Sequence, residues 1–297
     1  MLAAALLLDA LFGEPRWLWQ RLAHPVVLMG RAVALADRRL NRGTHRRARG
    51  AVGLGLLVVA VALPAALLAR VPLAEPLGAA VLLAHRGLVE HVGDVAAALR
   101  RGLAEGRIAV ARVAGRDPES LDEAGIARAA IESAAENFSD GVVAPAFWFA
   151  VAGLPGIAVY KLVNTADSMI GHRTARHEAF GWAAARLDDL LNWLPARLTG
   201  LLIAAVGGGA RAFAVMRRDA PLHKSVNAGW PEAALAASLG LSLAGPRRYG
   251  GRITADPWLN PEGAAGAGPA DIERSIGLVW RAWGLVLAAA LLLAIAG

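Results

Sequence analysis

Ala51-Val-Gly-Leu-Gly-Leu-Leu-Val-Val-Ala-Val-Ala-Leu-Pro-Ala-Ala-Leu-Leu-Ala69 runs for nineteen residues without a charged side chain. As a helix it rises about 28 Å, close to the ~30 Å hydrocarbon core of a bilayer. Only a helix or a closed barrel can cross that core, and the chain has no sustained period-two pattern, so helices are predicted. Gly141 to Tyr160 is equally free of charge, although Pro145, Gly153, Pro155 and Gly156 break or kink it. Pro195–Ala210 is shorter, Val226–Gly245 carries Glu232, and Ile276–Gly297 carries Arg281. Met1–Phe12 and Val71–Val89 are weaker, with Asp9 and Glu75 inside them. The sequence therefore predicts an all-α, polytopic integral membrane helical bundle of about five to seven membrane segments, with amphipathic helices on the cytoplasmic side.

Composition points the same way. Of 297 residues, 56% are hydrophobic and the mean hydropathy is +0.45, which a soluble domain of this size rarely reaches. The net charge of +7 comes from arginines lying between apolar runs. The block Arg31–Arg49, with Arg38, Arg39, Arg42, Arg46, Arg47 and Arg49, is assigned to the cytoplasmic face. No aromatic-basic platform accompanies the charge, so nucleic acid is not an expected partner. Membrane lipid is. Cysteine is absent, which excludes disulfides, thiolate metal sites and cysteine nucleophiles. The N-terminus lacks a basic leader and meets Asp9 and Gly13-Glu14-Pro15, so it reads as a retained membrane helix of a multi-pass protein in the inner (cytoplasmic) membrane.

Two polar regions, 91–140 and 161–194, interrupt the apolar runs. Arg116-Asp117-Pro118 predicts a helix start with Asp117 as its cap, running on to about Glu136. The Gly/Ala/Pro loop from Asn260 to Pro269 is expected to be mobile. If Gly141–Tyr160 crosses once, the two polar regions face opposite sides. If Gly153-Leu-Pro-Gly156 turns the chain back, they face one compartment, and that arrangement is preferred because both regions look like parts of one site.

Three polar clusters carry the chemistry. In the first, Glu132 and Glu136 share a helical face, with Asn137 and Asp140 close beside them. Converging carboxylates need a cation, and Mg²⁺ shared with substrate phosphate would suit. In the second, Lys161, Asn164 and Ser168 share a face, Asp167 lies near Asn164, and Arg173 follows. Ionisable groups beside an apolar segment are costly in lipid and so are expected to line a polar cavity. In the third, Asp188 and Asn192 stand one turn apart while Asp189 points away, where it could pair with Arg186. His223 and Asn227 lie in a further element ahead of Pro231, where a helix start would attract an anion. His24, before Pro25, reads as structural. Bland alternatives stand beside each cluster: a solvated helix end, a snorkelling Lys161, and surface caps. The sequence has no Walker-type phosphate loop, zinc helix or nucleophile elbow.

Taken together, LLLDALFGEPRW from Leu6, RDPESLDEAGIARAAIESAAENFSDGVVAPAFWF from Arg116, YKLVNTADSMIGHR from Tyr160, FGWAAARLDDLLNWLPARLTG from Phe180 and HKSVNAGWPEAALA from His223 resemble the CbiB/CobD cobalamin-biosynthesis proteins, the adenosylcobinamide-phosphate synthases. The likeness covers essentially the whole chain as a single domain, 1–297. It implies ATP-dependent amide formation between adenosylcobyric acid and (R)-1-amino-2-propanol or its O-phosphate, with Mg²⁺. On that reading Glu132, Glu136, Asp140, Lys161 and Asp167 are catalytic candidates, and Glu136, Asp140 and Asp167 are metal candidates. Asn137, Asn164, Ser168, Arg173, Asp188, Asp189, Asn192, His223 and Asn227 would bind substrate. The resemblance leaves room for a homo-oligomer or a complex with other membrane-bound cobamide-assembly enzymes. Two other classes stay open: a non-catalytic AmpE-like membrane sensor or scaffold, and a corrinoid or amino-alcohol transporter, although the two similar halves of a typical transporter are not evident.

Overall fold

A computed structural model describes residues 1–113, 118–246, 248–249 and 252–296. Its helices are α1 (Leu2–Phe12), α2 (Arg16–Trp19), α3 (Pro25–Leu40), α4 (Arg46–Leu68), α5 (Ala74–Leu82), α6 (His85–Arg101), α7 (Leu103–Val110), α8 (Glu123–Phe138), α9 (Ala144–Ala166), α10 (Trp182–Val206), α11 (Gly209–Asp219), α12 (Gly229–Leu239) and α13 (Pro269–Ala296). Contacts gather into two compact units, each assembled from segments distant in sequence. One is Met1–Arg86 with Asp140–Asn192, and the other is Gly87–Ser139 with Trp193–Gly297.

Four stretches among the described residues are long and apolar enough to cross a membrane: α4, Glu123–Gly171, α10 and α13. This is fewer than the five to seven segments the sequence suggests. The apolar runs at residues 1–12, 71–89 and 226–245 form helices of only 11, 9 and 11 residues, at most about 17 Å long. On α4, Val52, Leu56, Val59, Leu63 and Leu67 are each more than half exposed. Their spacing places them along one face, an apolar stripe that water would not tolerate and lipid would.

In the first unit α4 packs on α3 and α9, and α1 on α5. His24 caps α3: its Nδ1 accepts the Val26 amide at 3.2 Å and its Nε2 lies 3.2 Å from the Val81 carbonyl. Only the neutral ring with the proton on Nε2 satisfies both contacts, so this histidine is structural, as the sequence suggests. Burial holds its pKa below the usual histidine value.

The decisive feature of this unit lies within α9. Ala152 and Gly153 leave helical geometry, Gly153 at φ 61° and ψ −152°, a region that only glycine occupies without strain. Beyond the break the chain folds back on itself. A Cβ at Gly156 would run into the carbonyl of Trp148, eight residues earlier, and the Tyr160 hydroxyl reaches the Asp140 carbonyl at 3.1 Å. A straight helix would hold residues 140 and 160 about 30 Å apart. The stretch is a helical hairpin, and its two polar ends finish side by side. Each end is a π-helical turn, Ser139–Val143 and Asp167–Gly171.

The second unit centres on α8, which packs against α7, α12 and α13. This helix begins at Glu123, not near Arg116. Asp122 caps it by accepting the Gly125 amide at 2.7 Å, and Pro118–Ser120 forms a separate 3₁₀ turn. Pro118 cannot donate a backbone hydrogen bond, and Asp122 satisfies an amide that the first helical turn leaves without a partner. The predicted cap, Asp117, lies outside the described residues. Leu243–Ala244 pairs antiparallel with Trp258–Leu259, and Arg248–Tyr249 with Arg252–Ile253. The loop from Asn260, expected to be mobile, is instead tied down: Asn260 donates to the Leu241 carbonyl at 2.9 Å and its amide to Asp219 at 2.7 Å.

Candidate active site

Members of all three sequence clusters meet at the end of the hairpin. Asp140 comes from its first end, Asn164 from its returning half, and Asp188 and Asn192 from α10. Asn164 Nδ2 lies 3.3 Å from Asp140 Oδ2 and 3.3 Å from Asp188 Oδ1, offering one amide proton to each carboxylate. Asn192 Nδ2 donates to Asp188 Oδ2 at 3.1 Å. The Tyr160 hydroxyl lies 2.8 Å from Asn192 Oδ1 and 3.1 Å from the Asp140 carbonyl, and these two acceptors share its single proton. The five residues form a closed ring. Both asparagine amides are fixed in orientation, since each nitrogen faces a carboxylate oxygen.

Asp188 and Asn192 are buried, while Asp140 and Asn164 are partly accessible. The ring therefore has a sealed side and an open side. Asp188 also lies in the field of the Asp167 and Asp189 carboxylates. As the helical spacing predicts, Asp189 turns outward, and its Oδ2 lies 3.7 Å from Arg186. The Lys161 ammonium lies in the field of Asp140, Glu14 and Asp9 and makes no hydrogen bond or ion pair among the described residues. A lone ammonium beside a ring of acids and amides can take an anionic substrate group, while the carboxylates take a cation or a proton.

Other residues singled out in the sequence have different surroundings. Ser168 donates back to the Asn164 carbonyl at 3.0 Å, and Asp167 folds against Gly171 in its π turn. Arg173 is exposed. Beside it, a loop is held to α3 by Asp37, which accepts from Arg176 at 2.7 Å and from Asn41 at 2.8 Å. Glu132, Glu136, Asn137, His223 and Asn227 belong to the second unit. There Glu132 is buried and accepts the Ala244 amide at 2.9 Å, whereas Glu136 and Asn137 are exposed. His223 Nε2 lies 3.7 Å from Glu232 Oε2, with both side chains buried. Asn227 receives Arg197 at 3.4 Å, and that guanidinium stacks on Trp193 and Trp230.

Sequence reading missed Tyr160, Asp9 and Glu14. Tyr160 sits inside an apolar run and its ring is buried; the available signal was its rarity, since the chain has two tyrosines. Asp9 also accepts the His85 amide at 2.8 Å, a contact across 76 residues that no local pattern carries. For a metal, no three Asp, Glu or His side chains cluster closely enough among the described residues to form a ligand set. Asp140 and Asp188, linked through one amide, do fit an ion that draws its remaining ligands from phosphate and water, as Mg²⁺ does.

The fold and this acid-amide ring define a helical membrane protein with a polar site built at the end of a broken-helix hairpin. The chain belongs to the CobD/CbiB family: that family's model, described as CobD/Cbib protein, matches residues 2–279. A cobalamin biosynthesis protein CobD from Rhizobium meliloti is 51% identical over 95% of this chain and 92% of its own length. Proteins of the same name from Brucella anthropi (49%, over 98% of this chain and 97% of the relative) and Rhodobacter capsulatus (48%, over 95% and 93%) are similar. Family membership supports a role in cobalamin biosynthesis. No solved structure matches the chain.

Proposed function

We propose that this protein is a multi-pass enzyme of the cytoplasmic membrane. On this reading it joins the carboxylate of adenosylcobyric acid to the amine of (R)-1-amino-2-propanol, or its O-phosphate, at the expense of ATP. The observation that carries the proposal is the ring of Asp140, Asn164, Asp188, Asn192 and Tyr160 with Lys161 beside it. A carboxylate is a poor acyl donor. Transfer of the terminal phosphoryl group of ATP to it gives an acyl phosphate and ADP, and attack by the neutral amine then forms the amide and releases phosphate.

Lys161 is the group to hold an anionic oxygen of the corrinoid carboxylate or the phosphoryl group. One of the two ring carboxylates takes the proton the amine gives up on attack. Asn164 and Asn192 keep Asp188 oriented by one hydrogen bond to each of its oxygens, which leaves each oxygen a further lone pair. Asp140 and Asp188 are the groups to hold Mg²⁺ together with phosphate oxygens, and the ion would spread phosphoryl charge. Glu136, exposed near the end of α8, is not assigned to that role.

Detergent-solubilised protein incubated with adenosylcobyric acid, aminopropanol phosphate, ATP and Mg²⁺ tests the proposal. Repeated turnover to the amide, with ADP formed in equal amount, is the expected result. Stoichiometric binding of the corrinoid without amide formation would favour a carrier or scaffold.

A further inference from the structure

The second unit holds a cation with no counter-ion. Arg197 lies on α10, one of the helices long and apolar enough to cross a membrane, and an arginine in such a helix is costly unless its surroundings offset the charge. Its Nη1 donates to the Trp193 carbonyl and lies 3.4 Å from Asn227 Oδ1. Both acceptors are neutral. The guanidinium carbon rests 4.3 Å from the centroid of the Trp193 ring and 4.6 Å from that of Trp230, and aromatic faces attract a cation without neutralising it. No carboxylate lies within ion-pair distance of Arg197 among the described residues.

The other edge of the guanidinium is left over. Nε and Nη2 have no acceptor among the described residues, and both keep accessible surface. Their N–H groups leave one rigid plane side by side, the arrangement that grips two oxygens of a single phosphate or carboxylate. Nη1 is tied to α10 and to Asn227, and the plane rests on two indoles, so this fork is set before any ligand arrives and little ordering is left to pay on binding. Of the two oxyanions, phosphate matches a lone fixed cation better. It presents three acceptor oxygens and, as a monoester, more than one negative charge. It is also the anion that phospholipid headgroups carry at the level where membrane tryptophans sit.

We propose that Arg197, held by Trp193, Trp230 and Asn227, is a phosphate-binding site in which Nε and Nη2 donate in parallel to two phosphate oxygens. The phosphate comes on a soluble ester or on a lipid headgroup, and the test separates these sources.

Phenylglyoxal modifies accessible guanidinium groups, and peptide mass spectrometry reads its reaction at Arg197 alone in the full-length protein. In a phosphate-free, non-ionic detergent buffer Arg197 is expected to react. A phosphate ester is expected to slow that reaction roughly tenfold. Aminopropanol phosphate is compared with aminopropanol, and dihexanoyl phosphatidylglycerol with dihexanoyl glycerol, with acetate at equal ionic strength as the carboxylate. Whichever phosphate ester protects at the lower concentration names the source. Binding of that ester, read by native mass spectrometry, is expected to weaken roughly tenfold in Arg197→Lys, which keeps the charge and loses the fork. An Arg197 that does not react without ligand, a reaction that neither ester slows, equal protection by acetate, or unchanged binding in Arg197→Lys would each overturn the proposal. Protection is read without amide synthesis, so its failure and that of the ligase reading are distinguishable.

Discussion

Asn164 donates its side-chain amide to Asp140 across 24 residues of sequence, at 3.3 Å, because the helix between them breaks at Ala152–Gly153 and doubles back. The same nitrogen reaches Asp188. Asn164→Asp would replace the donor with a third negative charge between two carboxylates, where like charges disfavour ionisation. The expected outcome is loss of at least 100-fold in amide synthesis, with a smaller loss for Asn164→Ala. Steady-state rates on purified variants check the order, and equal activity of the two variants would contradict it.

The hairpin itself is open to test. Gly153 occupies a glycine-only backbone region, so Gly153→Ala should cost about 1–3 kcal/mol. Gly156→Leu should be worse, because its side chain would be driven into the Trp148 carbonyl. Both are expected to lower the midpoint of thermal unfolding in detergent. The chain is naturally free of cysteine, so Asp140→Cys combined with Asn164→Cys supplies a clean pair. Cross-linking of that pair by a short bifunctional reagent in native membranes is expected, and failure to cross-link would argue for a straight crossing.

Tyr160 is nearly fully buried, and its hydroxyl serves Asn192 and the Asp140 carbonyl. Tyr160→Phe leaves these acceptors without that donor, at a cost of about 1–3 kcal/mol. A lower unfolding midpoint together with a reduced turnover number is expected, since Asn192 would no longer hold Asp188 in register. Unchanged stability would show that the ring is looser than described.

Asp37 governs the loop near Arg173. Burial raises the pKa of its carboxyl, but the hydrogen bonds from Arg176 and Asn41, with the charge of Arg176, outweigh that effect and leave it below the ordinary value of 3.8. A depressed carboxyl contributes stability that is present above 3.8 and lost as pH falls through its folded-state value. Hydrogen exchange in residues 172–181 should therefore quicken as pH falls through that acid window, relative to its intrinsic rate, and Asp37→Asn should remove most of the change. Protection independent of pH in the unmutated protein would refute the latch.

The sequence made the helical membrane class legible because lipid is the solvent that charge-free runs of spanning length require. The pairing of Asp188 with Asn192, and the outward turn of Asp189 toward Arg186, follow from helical spacing and were equally readable. The meeting of Asp140, Asn164 and Asp188 could be suspected only from the Gly153-Leu-Pro-Gly156 punctuation, since it depends on where the chain reverses. The partner of Glu132 was not legible: helical spacing groups it with Glu136 and Asp140, whereas its carboxylate bonds the amide of Ala244, 112 residues away. Nor were the π turns at Ser139–Val143 and Asp167–Gly171, which arise from packing and leave no periodic trace.

The most direct test compares Asp140→Asn, Asp188→Asn and Asp189→Asn in one amide-forming assay with the corrinoid acid, aminopropanol phosphate, ATP and Mg²⁺. Asp140 and Asp188 belong to the ring, and Asp189 faces outward to Arg186, so the first two variants should lose at least 100-fold in rate while the third keeps activity within a few-fold of wild type. Full activity in both ring variants, or a loss confined to Asp189→Asn, would contradict the account.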